Sequence, residues 1–210
     1  MISLIGIAYF SLLSPLLPLL LFLRKRVLSK EVLMIRILLI IGFLFDLLCL
    51  FMARRQMNSF PVGNIFYLIQ TLILLRVYEI KFVKSGNEFR IIQVTYCILF
   101  IVNYFFIQGY SVLNTYTITL SAIVFSALAL SYFLYVLKKL PEVFVYRIPM
   151  IWINIAVLVY FSGNLLVFLF NDFLIMSTTC IIHNLLNITK NLIFMIAIWQ
   201  NQRRTSSFSF

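Results

Sequence analysis

The chain has 210 residues, 63% of them hydrophobic and 11% charged, with a mean hydropathy of +1.07. Soluble domains carry about 45–50% apolar and about 25% charged residues, so the composition excludes a water-soluble globule and indicates an integral membrane protein. The net charge of +11 lies between apolar runs rather than along a basic face, so it reads as a topology signal and not as a nucleic-acid footprint.

A spanning helix needs about 20 mostly apolar residues. Seven such segments are expected, at roughly 3–23, 32–53, 62–80, 91–109, 112–137, 148–170 and 174–199. Barrel strands would alternate polar and apolar residues; these runs are apolar nearly all round, which favours helices. The fold class expected is all-α: one polytopic domain over residues 1–210, with no soluble domain.

The first segment lacks a basic leader and a small-residue cleavage site, so it reads as a retained helix. Pro15 and Pro18 lie three apart on nearly one face and should kink it. The second segment holds Asp46, the one acidic residue deep in an apolar run, about 21 Å from its basic end at 1.5 Å per residue. Arg36, about one turn in, can snorkel to the interface. The third segment sets Asn64, Tyr67 and Thr71 on one face with Gln70 at its edge. The fourth offers Gln93, Tyr96 and Asn103. The fifth is rich in Ser, Thr and Ala, which reads as close packing with hydroxyls bonded back to their own helix. The sixth carries Trp152, Asn154, Tyr160 and Asn164.

The seventh segment is the most informative. Taking His183 as zero, Asn184, Asn187, Lys190 and Asn191 fall at roughly 100°, 40°, 340° and 80° on a helix. The five share an arc of about 120° in an otherwise apolar run. Polar and ionisable groups in hydrocarbon normally face a bundle interior or a wet cavity. His183 lies roughly 13 Å inside its segment and can share a depth with Asp46, with Lys190 about 10 Å further along. A buried Lys costs about 2.5–3.5 kcal/mol on insertion scales, and Asp46 is its one credible charged partner.

Basic residues gather in alternate connections. Arg24, Lys25, Arg26 and Lys30 follow the first segment; Arg76, Lys81, Lys84 and Arg90 flank the third connection; Lys138, Lys139 and Arg147 flank the fifth; Arg203 and Arg204 follow the last segment. Only Arg54 and Arg55 mark the opposite side. The positive-inside rule then expects the N-terminus outside and the C-terminus in the cytoplasm. With no cleaved signal and no large loop, the expected home is a cell membrane, specifically a bacterial inner membrane. Cys49, Cys97 and Cys180 all lie in apolar segments and read as packing groups rather than a disulfide framework.

Several chemistries are disfavoured. One histidine cannot reproduce the multi-histidine zinc site of alkaline ceramidases and adiponectin receptors. One deep aspartate cannot supply the paired carboxylates of lysoplasmalogenase-type hydrolases. The halves share no pattern resembling the repeats of SWEET or PnuC transporters. A retinal Schiff base on Lys190 would need a counter-ion, and the third segment, its usual source in microbial rhodopsins, has none at depth. No cofactor, no metal ligand and no catalytic residue is therefore assigned.

The expectation is a polar intramembrane cavity that binds a small molecule or lipid for transport or sensing. Its candidate lining is Asp46, Asn64, Tyr67, Gln70, His183, Asn184, Asn187, Lys190 and Asn191. Partners expected are the lipid bilayer, a small-molecule or lipid ligand, and a membrane-protein partner or second copy; no nucleic acid. The competing reading is an accessory subunit whose seventh-segment stripe packs against a partner helix.

Overall fold

The computed structural model describes residues 4–22, 28–82, 86–139, 146–170 and 176–206. Arg24, Lys25, Arg26 and Lys84 lie outside the described residues. Within them all regular structure is helical. The first segment is two short helices, α1 (Leu4–Leu13) and α2 (Leu16–Leu21). Six longer helices follow: α3 (Lys30–Arg54), α4 (Phe60–Lys81), α5 (Gly86–Val102), α6 (Thr115–Lys139), α7 (Pro149–Leu169) and α8 (Met176–Ser206). These six are long and apolar enough to cross a membrane, so the chain has a multi-pass membrane architecture.

The expected kink in the first segment is a break. Pro15 has no N–H to give the carbonyl of Ser11 four residues back. The Ser14 hydroxyl donates to that carbonyl instead, at 2.7 Å. Helices α1 and α2 together run over about 17 residues, or ~25 Å, short of the ~30 Å hydrocarbon core. This first unit leans on α8 along both of its parts.

Prolines also start helices. Pro61 and Pro149 stand in the first turns of α4 and α7, where a missing N–H costs nothing. Helix α5 widens into a π-type turn at Asn103–Ile107, and Gly109 takes φ +81 to reverse the chain. The connection to α6 is tied down by α4. Asn64 Nδ2 donates to Val112 O at 2.8 Å, and Asn114 N donates to Asn64 Oδ1 at 3.0 Å.

Helix α7 is the central element, packed between α6 and α8. Phe125 and Phe161 pack with ring centroids 4.6 Å apart, tilted by 39°. Tyr78 donates to Asn154 Oδ1 at 2.6 Å, and Asn154 Nδ2 donates to Ala129 O at 2.9 Å, so a buried polar chain links α4, α7 and α6. Two hydroxyls of α6 bond back as expected, Thr117 and Ser121 donating to carbonyls three residues back, whereas the buried Ser126 hydroxyl has no partner among the described residues.

Helix α8 runs further than the expected end at Trp199. It continues through Ser206, and its last turns dock on the first connection. Asn201 Oδ1 accepts from Ser29 N at 3.3 Å, and Gln202 Nε2 donates to Leu21 O at 2.6 Å. The amides after Trp199 are thus packing groups, which fixes the end of α8 beside α2 and α3.

Candidate functional site: a charged cavity between α3, α4, α7 and α8

The polar stripe of α8 faces inward. Four of its five members, His183, Asn187, Lys190 and Asn191, help to frame a cavity of about 150 Å³. Asp46 and Cys49 of α3, Tyr67 of α4, Tyr160 of α7, and His183, Asn187, Lys190 and Asn191 of α8 line it. A second, wider crevice of about 600 Å³ lies beside α1, toward Arg54 and Ser59. The two share Asp46, Cys49, His183 and Asn187, so they adjoin.

Two members of the stripe are anchored to the broken helix. Asn187 Nδ2 donates to Ser11 Oγ at 3.0 Å, and Asn191 Nδ2 donates to Ser14 Oγ at 2.7 Å. The spacing of four residues on α8 matches the spacing of three across the break. Asn191 therefore supports the same hydroxyl that caps the carbonyl released by Pro15.

His183 is oriented by α7. Asn164 Nδ2 donates to Tyr160 O at 2.7 Å, which leaves Asn164 Oδ1 turned to His183 Nδ1 at 2.8 Å. An amide oxygen only accepts, so Nδ1 carries the proton and Nε2 of the neutral ring is an acceptor.

The charged pair is the notable feature. Lys190 is buried, with its ammonium 4.2 Å from the centroid of the Tyr160 ring. Asp46 is half-buried on the facing wall. They are near enough to feel each other's charge, yet among the described residues they form no ion pair, and neither makes a hydrogen bond. The contact between Asp46 and His183 or Lys190 considered from sequence is thus replaced by a cavity with one charge on each side.

The remaining candidates divide. Tyr67 lines the cavity together with Tyr160. Asn184 lines only the outer crevice. Gln70 is buried and does not line the cavity. Asn64 does not line it, because both ends of its amide serve the loop before α6. Sequence reasoning did not single out Ser11, Ser14 or Cys49 as site residues. The Pro15 signal marked the place of the two serines without revealing their partners. Tyr9 closes the outer rim, its hydroxyl accepting from Arg54 Nη2 at 2.8 Å.

Among the described residues no three His, Cys, Asp or Glu side chains gather as a metal site requires. No protein-family model matches this chain, and no curated protein or solved structure is similar to it.

Proposed function

We propose that this protein binds a small molecule or lipid in the cavity between α3, α4, α7 and α8, in the service of transport or sensing. The observation that carries the reading is the facing of Asp46 and Lys190 across open space. A bundle that used these charges only for assembly would close them into contact, because each buried ion without a partner costs several kcal/mol. A broken helix beside a polar midplane site is also the arrangement many transporters use. In this reading the N-terminus and the outer crevice lie outside and the C-terminus in the cytoplasm, the orientation that the charge bias favours, and the membrane is a bacterial inner membrane.

The competing accessory-subunit reading needs a stripe free to meet a foreign helix. Asn187, Asn191 and His183 instead bond to α1, the Ser14 junction and α7, which favours the cavity.

Cys49 tests the reading because it lines both spaces. With Cys97 and Cys180 replaced by Ala, a small cationic methanethiosulfonate reagent applied to right-side-out vesicles should modify Cys49. Bulk addition at Tyr67, by Tyr67→Trp, should slow it. A Cys49 as inert as a lipid-buried thiol from both sides of the membrane contradicts the proposal.

A further inference from the structure

The cavity reading leaves the ligand's chemistry open, and the wall chemistry narrows it. The following rests on that reading. The inner cavity presents one carboxylate, Asp46, and one ammonium, Lys190, unpaired with each other among the described residues. A cation drawn to Asp46 is repelled by Lys190. An anion drawn to Lys190 is repelled by Asp46. A neutral molecule leaves both charges desolvated and uncompensated, at a cost of several kcal/mol each. A molecule carrying one ammonium and one acid group satisfies both walls and brings no net charge into the membrane.

Size and direction sharpen this further. A cavity of about 150 Å³ is the size that holds benzene, so it admits roughly six non-hydrogen atoms. Asp46 borders the inner cavity and the outer crevice, whereas Lys190 borders the inner cavity alone. The acid group of the ligand therefore lies at the deep end and its ammonium toward the crevice. The crevice, about 600 Å³ and walled by Ile5, Leu12 and Leu50, has space for a substituent on the ammonium side.

We propose that the inner cavity takes a small amino acid or a like zwitterion, its carboxylate at Lys190 and its ammonium at Asp46. The direction disfavours the other source of the same chemistry, an ethanolamine phospholipid. There the amine is the free end and the acyl chains trail from the phosphate, which would place the phosphate at Asp46.

The test uses the full chain in phosphatidylcholine nanodiscs, with thermal unfolding followed against added probe. Alanine and β-alanine are the zwitterions, alaninamide the matched cation and lactate the matched anion; a parallel set of discs contains phosphatidylethanolamine. Alanine or β-alanine should raise the midpoint, with an apparent affinity at least ten-fold above either singly charged probe. Asp46→Asn should weaken the zwitterion ten-fold or more and remove its advantage over lactate. Lys190→Met should remove its advantage over alaninamide, and Lys190→Arg should retain it. Should Asp46→Asn fail to fold, the Lys190 pair of variants carries the same comparison.

The inference is overturned if a singly charged probe equals the zwitterion, if no probe moves the midpoint, or if phosphatidylethanolamine alone gives the shift. Cys49 modification separates the two levels. An accessible Cys49 without a zwitterion effect overturns the ligand class and leaves the cavity standing. A sealed Cys49 removes both.

Discussion

The ammonium of Lys190 lies 4.2 Å from the centroid of the Tyr160 ring, and no acceptor oxygen among the described residues completes its coordination. A desolvated cation–π contact contributes about 2 kcal/mol, whereas burying an ammonium costs several. The ring positions the charge without offsetting its burial. The proposed ligand, seated between Lys190 and Asp46, would offset that cost.

Removing the charge should therefore stabilise the protein. Lys190→Met is expected to raise stability by about 1–3 kcal/mol, since a hydrophobic group of similar length replaces an uncompensated ion. Denaturation in mixed micelles measures this. A loss beyond about 1 kcal/mol would assign Lys190 a structural bond.

The Asn191–Ser14–Ser11 chain is expected to be structural. Ser14→Ala removes the shorter of the two bonds to the Ser11 carbonyl, which keeps Ser14 N at 3.3 Å, and takes away the hydroxyl that Asn191 Nδ2 donates to, at about 1–3 kcal/mol. Asn191→Leu should cost a similar amount, and the double variant should cost less than the two together because they share one bond. Strict additivity would show that the two groups act separately.

Gly163 is expected to be intolerant for a steric reason. A methyl group there would sit 2.5 Å from Leu186 Cδ2 and 3.2 Å from Leu186 Cγ. Gly163→Ala should lose about 1–3 kcal/mol through overpacking of α7 on α8. Gly163→Ala with Leu186→Ala should recover part of the loss, and unfolding midpoints of the three variants check it.

Gly63 offers the opposite case. It lines the inner cavity, and a Cβ there would meet nothing within 4 Å. Gly63→Val should leave stability within about 0.5 kcal/mol of the parent while narrowing the cavity. The expected result is slower modification of Cys49 and weaker zwitterion binding. Unchanged rates would place the ligand elsewhere.

Much of the architecture was legible because burial in lipid writes long apolar runs into a sequence. The seven segments, the inward stripe of α8 and the shared neighbourhood of Asp46 and His183 follow from hydropathy and helical period alone. What was not legible depends on contacts between distant residues. Asn64 has the sequence of a cavity residue, but its amide is spent on Val112 and Asn114, about fifty residues on. Ser11 and Ser14 look like ordinary back-bonding hydroxyls, and only the fold brings Asn187 and Asn191 to them across more than 170 residues. Asn201 and Gln202 fall past the expected end of the last segment, and nothing local shows that α2 and Ser29 lie beside them. Tyr160 is one tyrosine among 11; its position under Lys190 is a property of how α7 meets α8.

Asp46 and Lys190 line one cavity without forming an ion pair. A double-mutant cycle with Asp46→Asn and Lys190→Met, read by unfolding in mixed micelles without added amino acid, tests it most directly. Opposite charges 4 Å apart attract by about 1 kcal/mol in bulk water and about 4 kcal/mol in a protein-like medium. The account predicts a coupling energy of about 1 kcal/mol or less. A coupling of about 3 kcal/mol or more would show a closed salt bridge and contradict it.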